Sequence, residues 1–422
     1  MRFEAAALIL GTDLALRYLF IHQNFPGQFR HAVRALADDP ANEVVCVGET
    51  RLLKGRPLLH PRLRVLGYQM PAAVPSRAHP YLRDYEGHVR RGQMVVRLLL
   101  QLRDTSGFQP DVVVAHPGWG EALFLRDVFP RARQVLYCEF YYHGQGTDVG
   151  FDPEFPASLD DQLRVRSKNS TQLQSLVAAD AGISPTGWQA GTYPQELRRK
   201  ITVVHDGIDT RVVRPDPQAR VEIAGQQLAF GDEVVTYVAR NLEPYRGFHT
   251  FMRMLPKLQG LRPNARVVIV GGDDVSYGRR LAEGDSYRLR YRSEVEGQVD
   301  WARVFFVGKL PYADYLKVLQ VSSAHVYLTY PFVLSWSALE AMAAGCLMVA
   351  SRTAPVQEVV EDGVTGVLVD FFDAEALASR LAQVLADPAA FAGLRLKARE
   401  LVQQRYDLQS ICLPQVLGAL RG

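Results

Sequence analysis

Residues 330–352, YPFVLSWSALEAMAAGCLMVASR, decide the fold of this chain. The apolar run AHVYLTY that leads into them is typical of a buried parallel strand, and Pro331 ends it because proline cannot continue a strand ladder. Ser335 or Ser337 can cap the helix SALEAMAAG, which is rich in helix formers and ends at Gly345. The apolar run CLMVAS follows at once. The stretch therefore predicts a strand, a helix and a second, parallel strand.

Glu340 lies inside the predicted helix, roughly one turn from its start. The loop before such a helix and its first turn present free backbone N–H groups and the positive end of the helix dipole, which suit a phosphate or a sugar hydroxyl. A carboxylate here can accept hydrogen bonds from both hydroxyls of a vicinal diol such as a ribose. The alternative is a solvated helix residue, and the residues alone leave both interpretations open.

Strands and helices alternate along the whole chain, which has 422 residues, 48% of them hydrophobic. This length allows two domains, each with its own core. The alternation predicts an α/β fold class with two Rossmann-like parallel-sheet domains that face a cleft. We place the first domain at 17–210 and the second at 211–400. The net charge of +3 is small and spread out, so nothing in it indicates nucleic acid as a partner.

The amino terminus and the cysteines predict a cytoplasmic protein. Residues 1–16 contain an apolar patch that Glu4 and Asp13 interrupt, so they make a poor signal peptide and are too short to cross a membrane. We expect them to be a disordered or mis-assigned extension. The sequence has neither a metal-ligand spacing nor an Asp-x-Asp motif, so we expect no metal and no cofactor. The cysteines lie far apart, which predicts free thiols in a reducing compartment; they are Cys46, Cys138, Cys346 and Cys412.

A pair of arginines follows the strand that opens the second half. In VVTYVARNLEPYRGFHTFMRML, the strand delivers Arg240 at its end, and Arg246 stands directly before Gly247 and a helix. Two cations beside a helix amino terminus can bind a diphosphate and stabilise the negative charge of a departing group. The alternative is a pair of ordinary surface arginines near a turn.

Two residues of the first half lie where a parallel sheet binds ligands. RYLFIHQNFPG places Gly27 in the turn after the first strand, and DVVVAHPGWG places His116 directly after another strand. Open α/β sheets bind ligands outside the carboxyl ends of their strands, so both residues are candidates. The His116 imidazole can donate a hydrogen bond or take up a proton near neutral pH. A turn glycine and a structural histidine are the alternatives.

The run LEAMAAGCLMVASRTAPVQEVVEDGVTGVLV resembles the signature of the family 4 retaining glycosyltransferases, which have the two-domain GT-B fold. Glu340 corresponds to the second of the family's two glutamates, which holds the ribose of the donor. Phe332 stands where the family has the first glutamate, near the transferred sugar, and this departure implies an altered sugar contact. The residues implied to bind the donor are Glu340, Phe332, Val333, Leu334, Ser335 and Gly27.

The resemblance implies catalytic roles for three further residues. Arg240 matches the family's diphosphate-binding arginine, Arg246 replaces a lysine at the same spacing, and His116 matches a histidine that points at the donor sugar. In this fold the last helix, which we place at 401–422, crosses back to the first domain. The glycine-rich segment 143–156, HGQGTDVGFDPEFP, is interpreted as a mobile loop beside the acceptor site.

The function implied is that of a retaining hexosyltransferase. It would move a sugar from a nucleoside diphosphate sugar to an acceptor hydroxyl without a metal, in polysaccharide or glycoconjugate biosynthesis. The acceptor would be a carbohydrate, a lipid-linked molecule or a small molecule, and the arginine-rich helix expected at 80–107 leaves peripheral contact with the inner face of the membrane open. The alternatives are a nucleotide-sugar epimerase on the same fold and a non-catalytic sugar- or nucleotide-binding protein.

Overall fold

The computed structural model describes residues 15–71 and 77–422, and the chain divides into two compact units. The first unit takes in the described residues of Met1–Tyr137 together with Ser170–Ile183 and Leu417–Gly422, and the second takes in Cys138–Asn169 and Ser184–Val416. Of the predicted extension at 1–16, all but the last two residues lie outside the described residues, so this expectation stays a prediction.

The strands are short, buried and mostly rich in β-branched residues, as parallel sheets require. They are β1 (Arg17–Ile21), β2 (Glu43–Glu49), β3 (Arg64–Tyr68), β4 (Val112–Ala115), β5 (Arg133–Tyr137), β6 (Ala181–Ser184), β7 (Ile201–Val203), β8 (Arg220–Ile223), β9 (Gln226–Ala229), β10 (Val234–Asn241), β11 (Arg266–Gly272), β12 (Val304–Gly308), β13 (Ala324–Tyr327), β14 (Met348–Ser351) and β15 (Val367–Val369).

The helices mostly connect one strand to the next. They are α1 (Arg30–Asp38), α2 (Thr50–Leu53), α3 (Arg83–Ser106), α4 (Leu125–Val128), α5 (Leu159–Lys168), α6 (Ser170–Ala178), α7 (Gly187–Gly191), α8 (Gln195–Arg198), α9 (Phe248–Leu261), α10 (Tyr287–Glu294), α11 (Tyr312–Gln320), α12 (Trp336–Ala343), α13 (Ala354–Gln357), α14 (Ala374–Ala386), α15 (Ala392–Arg405) and α16 (Leu413–Arg421). Within the two described ranges, no helix is both long and apolar enough to cross a membrane.

Each unit is built on a parallel sheet. In the first unit the strands run in the order β3-β2-β1-β4-β5-β6, and every adjacent pair is parallel. In the second unit the order is β12-β11-β10-β13-β14-β15, again with parallel pairs throughout, and β8 and β9 form a separate antiparallel pair. Both orders are those of a Rossmann-like sheet, in which the first strand lies beside the fourth. The predicted fold class is confirmed.

The units divide the chain differently from the boundary we placed at 210. Residues 138–169 belong to the second unit because their aromatic rings pack into its core; Phe140 is buried there, and Phe151 and Phe155 lie against the same cluster. The last residues of α16 belong to the first unit, where the Arg133 side chain donates to the Leu420 carbonyl oxygen at 3.1 Å. Scattered aromatic residues carry no periodic signal, so the sequence alone did not indicate this division.

The strand-helix-strand unit from which we started is formed by β13, α12 and β14. Ser335 is the residue that caps α12, its side chain accepting from the Ser337 backbone N–H at 3.4 Å. Gly345, just beyond the helix, has φ +82°, a backbone conformation that side chains other than glycine's disfavour. All four cysteines are free and buried, as the sequence predicted.

Candidate active site

The strand order reverses beside the first strand of each sheet, and ligands of such folds bind outside the carboxyl ends of the strands at that point. In the second unit the reversal lies between β10 and β13. Arg240 is near the end of β10, Arg246 ends the tight turn Pro244–Arg246 that follows it, and residues 332–335 follow β13. The predicted diphosphate and sugar residues therefore converge on one switch point.

Arg246 is buried and ties three segments together. Its guanidinium nitrogen Nη1 donates to the Thr329 hydroxyl at 2.7 Å and to the Val333 carbonyl oxygen at 3.0 Å. The same nitrogen lies 3.2 Å from the Tyr327 hydroxyl. These contacts fix a positive charge between the turn after β10 and the loop after β13. Such a fixed charge needs no rearrangement to meet an anion.

Arg240 differs from Arg246 in every respect except its charge. Its side chain is exposed, and among residues 15–71 and 77–422 it makes neither a hydrogen bond nor an ion pair. An unengaged guanidinium keeps its five donors for a ligand. The two arginines therefore supply one fixed and one adaptable cation at the end of β10.

Glu340 is half-buried on α12, and phenol groups bind both of its oxygens. The Tyr312 hydroxyl donates to Oε1 at 2.8 Å and the Tyr315 hydroxyl donates to Oε2 at 2.7 Å. Burial raises the pKa of Glu340 above its usual value, and the two phenol hydrogen bonds oppose that effect. The sequence missed both tyrosines, although they recur at helical spacing in PYADYLKVLQ.

The loop of residues 332–335 presents mainly its backbone, because its first three side chains are buried. The Phe332 ring packs edge-on against Phe140 and Tyr277, with ring centroids 4.8 and 5.1 Å apart. Its carbonyl oxygen accepts from the Trp188 indole N–H at 3.0 Å, and the Leu334 N–H lies 3.4 Å from the Gln189 side-chain oxygen. An aromatic cluster thus takes the place that a carboxylate would have here.

In the first unit, His116 follows β4 directly and is buried. Its Nδ1 accepts from the Gly118 backbone N–H at 3.0 Å, and its ring stacks on that of Trp119 with centroids 4.0 Å apart. An imidazole that accepts at Nδ1 carries its proton on Nε2 when it is neutral. His116 is therefore prepared to act as a hydrogen-bond donor through Nε2.

His22 is a second strand-end histidine, which the sequence analysis did not single out. It follows β1, the neighbour of β4, and its Nδ1 accepts from the Asn24 backbone N–H at 3.0 Å. Its ring centroid lies 5.8 Å from that of His116. The signal was available, since each histidine stands directly after an apolar strand, in RYLFIH and DVVVAH. The two imidazoles mark the switch point of the first sheet.

Gly27 lies against His22, and this contact requires glycine. Its φ is +51°, and a Cβ atom built on it would lie 2.6 Å from Nε2 of His22. We expect Gly27→Ala to lower the free energy of unfolding by about 2–3 kcal/mol, from backbone strain and overpacking together. Urea unfolding measures the change. Gly55→Ala is the matched control, because Gly55 has φ +77° and open space around it; a cost for Gly27→Ala no larger than the control's would contradict the clash.

Helix α3, the arginine-rich helix expected at 80–107, turns one arginine inward. Arg91 donates to the Trp119 carbonyl oxygen at 3.0 Å, and its guanidinium lies 3.6 Å from Glu49 and 3.7 Å from Glu121. Glu121 is buried, which raises its pKa, and it accepts from the Tyr68 hydroxyl at 2.8 Å. This cluster holds the Trp119 backbone in place and thereby supports the ring that stacks on His116.

Within the residues that the structure describes, one group has the composition of a metal site. Ligand atoms of Asp152, Glu154 and His249 lie within 4.8 Å of one another. Their oxygens already have protein partners: Asp152 accepts from the Tyr330 hydroxyl and lies 3.0 Å from His249 Nε2, and Glu154 pairs with Arg253. These contacts anchor the predicted loop 143–156 to the second unit. The expected independence from metal stays a prediction.

Comparison with known proteins identifies the family. Residues 40–213 match the sequence profile described as Glycosyl transferase family 4 group, and residues 220–404 match that of Glycosyl transferases group 1. A glycogen synthase of Mycobacterium tuberculosis strain CDC 1551 / Oshkosh is 28% identical over 226 residues, which cover 53% of this chain and 50% of the relative. The chain thus spans about half the length of the curated relatives it matches.

Solved structures show the same fold. The sucrose-phosphate synthase from Thermosynechococcus elongatus superposes with a TM-score of 0.70 at 20% identity, covering 95% of this chain and 98% of that one. The Anabaena protein HepE in complex with UDP and glucose gives a TM-score of 0.66 at 17% identity, covering 96% and 99%. At these identities the likeness establishes the fold alone. The two profiles together span most of the sequence, and the chain belongs to the group 1 glycosyl transferases, as the resemblance predicted.

Proposed function

We propose that this protein is a cytoplasmic, metal-independent hexosyltransferase. It transfers a sugar from a nucleoside diphosphate sugar to an acceptor hydroxyl with retention at the anomeric carbon, in polysaccharide or glycoconjugate biosynthesis. In this proposal Glu340 binds the ribose, Arg240 and Arg246 bind the diphosphate, and the backbone of 332–335 with Ser335 surrounds the sugar. Four free cysteines fit a reducing compartment.

The observation that carries the proposal is the arrangement around the switch point between β10 and β13. Arg246 is bonded to the Val333 carbonyl oxygen, so the fixed cation and the proposed sugar loop form one rigid assembly. Ser335, at the end of that loop, caps the helix that carries Glu340. Cation, loop and carboxylate are thus held in series by local contacts, in the order in which a diphosphate, its sugar and its ribose require them.

The chemistry asked of these residues is mainly electrostatic. The bond between the anomeric carbon and the diphosphate breaks, a bond to the acceptor oxygen forms, and the nucleoside diphosphate leaves with added negative charge. Arg240 and Arg246 stabilise that charge where it develops, which lowers the barrier more than equal binding of the ground state would. We assign His116 a hydrogen bond from Nε2 to the sugar, and the Gly27 turn a contact with the donor phosphates or the acceptor.

Two similarities support this proposal without deciding it. Family membership makes sugar transfer the expected reaction class. HepE, which shares the fold, holds UDP and glucose in its solved structure, and the matched part of the chain is similar to a glycogen synthase. We therefore expect a nucleoside diphosphate hexose as the donor and a hydroxyl of a glycan or glycoconjugate as the acceptor.

A panel of UDP-, GDP- and ADP-hexoses tests the proposal. Each is incubated with the protein and a mixture of carbohydrate and lipid-linked acceptors, with and without EDTA, and nucleotide release is measured. We expect release from one donor, unchanged by EDTA, and a product whose anomeric configuration by NMR is that of the donor. Isomerised donor without any acceptor would favour an epimerase. Nucleotide binding without turnover of any donor would favour a non-catalytic binding protein.

A further inference from the structure

Two tyrosines of one helix hold the same carboxylate. Tyr312 and Tyr315 are one turn apart on α11, and each donates its phenol hydrogen to a different oxygen of Glu340, at 2.8 and 2.7 Å. Tyr315 is buried, whereas the Tyr312 ring is 53% exposed. The carboxylate is therefore gripped from one side by α11 while it stands on α12. A helix-surface glutamate without a ligand would not need this double contact.

The double contact leaves capacity for a diol. A carboxylate offers about four lone-pair positions, two on each oxygen, and the phenols use one on each. One acceptor position remains on each oxygen. Two neighbouring hydroxyls of a ribose, each donating one hydrogen bond, match that remaining pair. The phenols also fix the plane of the carboxylate, so less rotamer freedom is lost when the diol binds.

The contact has a second effect, on the charge of Glu340. Burial raises the pKa of its carboxyl, and the phenols of Tyr315 and Tyr312 are the groups that lower it again. The other charged groups on the elements packed around α12 are engaged elsewhere. Asp314 and Lys317 of α11 pair with each other, and Arg395 and Arg399 of α15 donate to the carbonyls of Gly345 and Ala343 at the far end of α12.

We propose that Tyr312 and Tyr315 are positioning residues that hold Glu340 in the orientation that binds the ribose of the donor nucleotide. This inference rests on the proposed function, because it takes Glu340 as the ribose-binding residue. It assigns to α11 a part in nucleotide recognition that acts through Glu340 and is independent of the base. Neither tyrosine is asked to touch the reacting atoms.

The test uses the full chain and measures binding of UDP, GDP and ADP by calorimetry between pH 4.5 and pH 8. The variants are Tyr315→Phe, Tyr312→Phe and Glu340→Gln. Tyr287→Phe is the matched control, since its buried phenol donates to the Arg279 carbonyl oxygen at 2.8 Å and does not contact Glu340. Circular dichroism melting confirms that each variant is folded. Tyr312→Phe guards against a folding defect in Tyr315→Phe, because its ring is largely exposed.

We expect Tyr315→Phe to weaken binding of the preferred nucleotide about tenfold at pH 8, the value of one hydrogen bond to a charged group. For Tyr312→Phe we expect about threefold, because water can replace an exposed phenol. Binding should weaken as the pH falls through the pKa of Glu340. Loss of a phenol removes an interaction that lowers this pKa, so the midpoint of that loss should move to higher pH in both variants and stay unchanged in Tyr287→Phe.

The outcomes separate the two proposals. If the native chain binds no nucleotide at any pH, the proposed function falls, and the ribose role falls with it. If the native chain binds a nucleotide and Glu340→Gln does not, yet both tyrosine variants match the native affinity and pH midpoint, only the positioning role is overturned. A carbon-13 NMR titration of labelled glutamate carboxyls, assigned with Glu340→Gln, gives an independent reading: an unchanged Glu340 pKa in Tyr315→Phe would also overturn it.

Discussion

Replacing Arg246 with alanine is expected to lower kcat for sugar transfer by about 100- to 1,000-fold, the usual loss when a preorganised charge-stabilising group is removed. The same variant should lose roughly 2–3 kcal/mol of unfolding free energy. Both losses follow from one geometry, because Nη1 of Arg246 is bonded to Thr329 and Val333 in a buried site. Removing it leaves those groups without their donor and removes the fixed cation. Steady-state kinetics and urea unfolding measure the two effects separately.

Arg240→Ala separates charge from structure. The Arg240 side chain is exposed and engages nothing among the described residues, so its removal should cost activity to a similar extent while unfolding stays within about 0.5 kcal/mol of native. Arg290→Ala, which removes an exposed arginine paired with Asp285 on α10, should leave turnover unchanged. An Arg246→Ala protein that is less stable but keeps native kcat and KM would show that Arg246 is structural only.

Asp152→Ala should destabilise the second unit by about 3–5 kcal/mol, a range typical for breaking a buried charged contact. Asp152 is 1% exposed; it accepts from the Tyr330 hydroxyl and the Glu154 backbone N–H and lies 3.0 Å from His249 Nε2. Truncation leaves these groups buried without their acceptor. Because Asp152 anchors the loop 143–156, amide hydrogen exchange in that loop should accelerate more than in the sheet.

The effect of Asp152 should depend on pH with a definite sign. Burial by itself raises the pKa of Asp152, but the hydrogen bonds from His249 and Tyr330 more than offset this and hold it below its usual value. A lowered folded-state pKa contributes stability that is present above the unfolded value, about 3.9, and is lost as the pH falls through the folded value. The difference between native and Asp152→Ala should therefore shrink below about pH 4. Glu283→Ala, at an exposed carboxylate, should show no such dependence.

The loop 143–156 shows where local pattern falls short. Its glycines and prolines predict irregular backbone, and the structure gives it none of the regular elements. Its interpretation as a mobile loop rested on that composition. The anchoring of Asp152 to Tyr330 joins residues 178 positions apart in the chain, and the Phe151 ring packs on Tyr330 and Phe371. Contacts of such separation leave no spacing rule that a single sequence could reveal.

By itself, the sequence determined the alternation of strands and helices, the Ser335 cap, the glycine at Gly345 and the family, because each depends on residues close together in the chain. Only the tertiary structure decided that Tyr312 and Tyr315 grip Glu340 and that His22 and His116 are neighbours. It alone also placed residues 138–169 in the second unit. The physical reason is common to all three: hydrogen bonds and ring contacts form between side chains that packing brings together, whatever their separation along the chain.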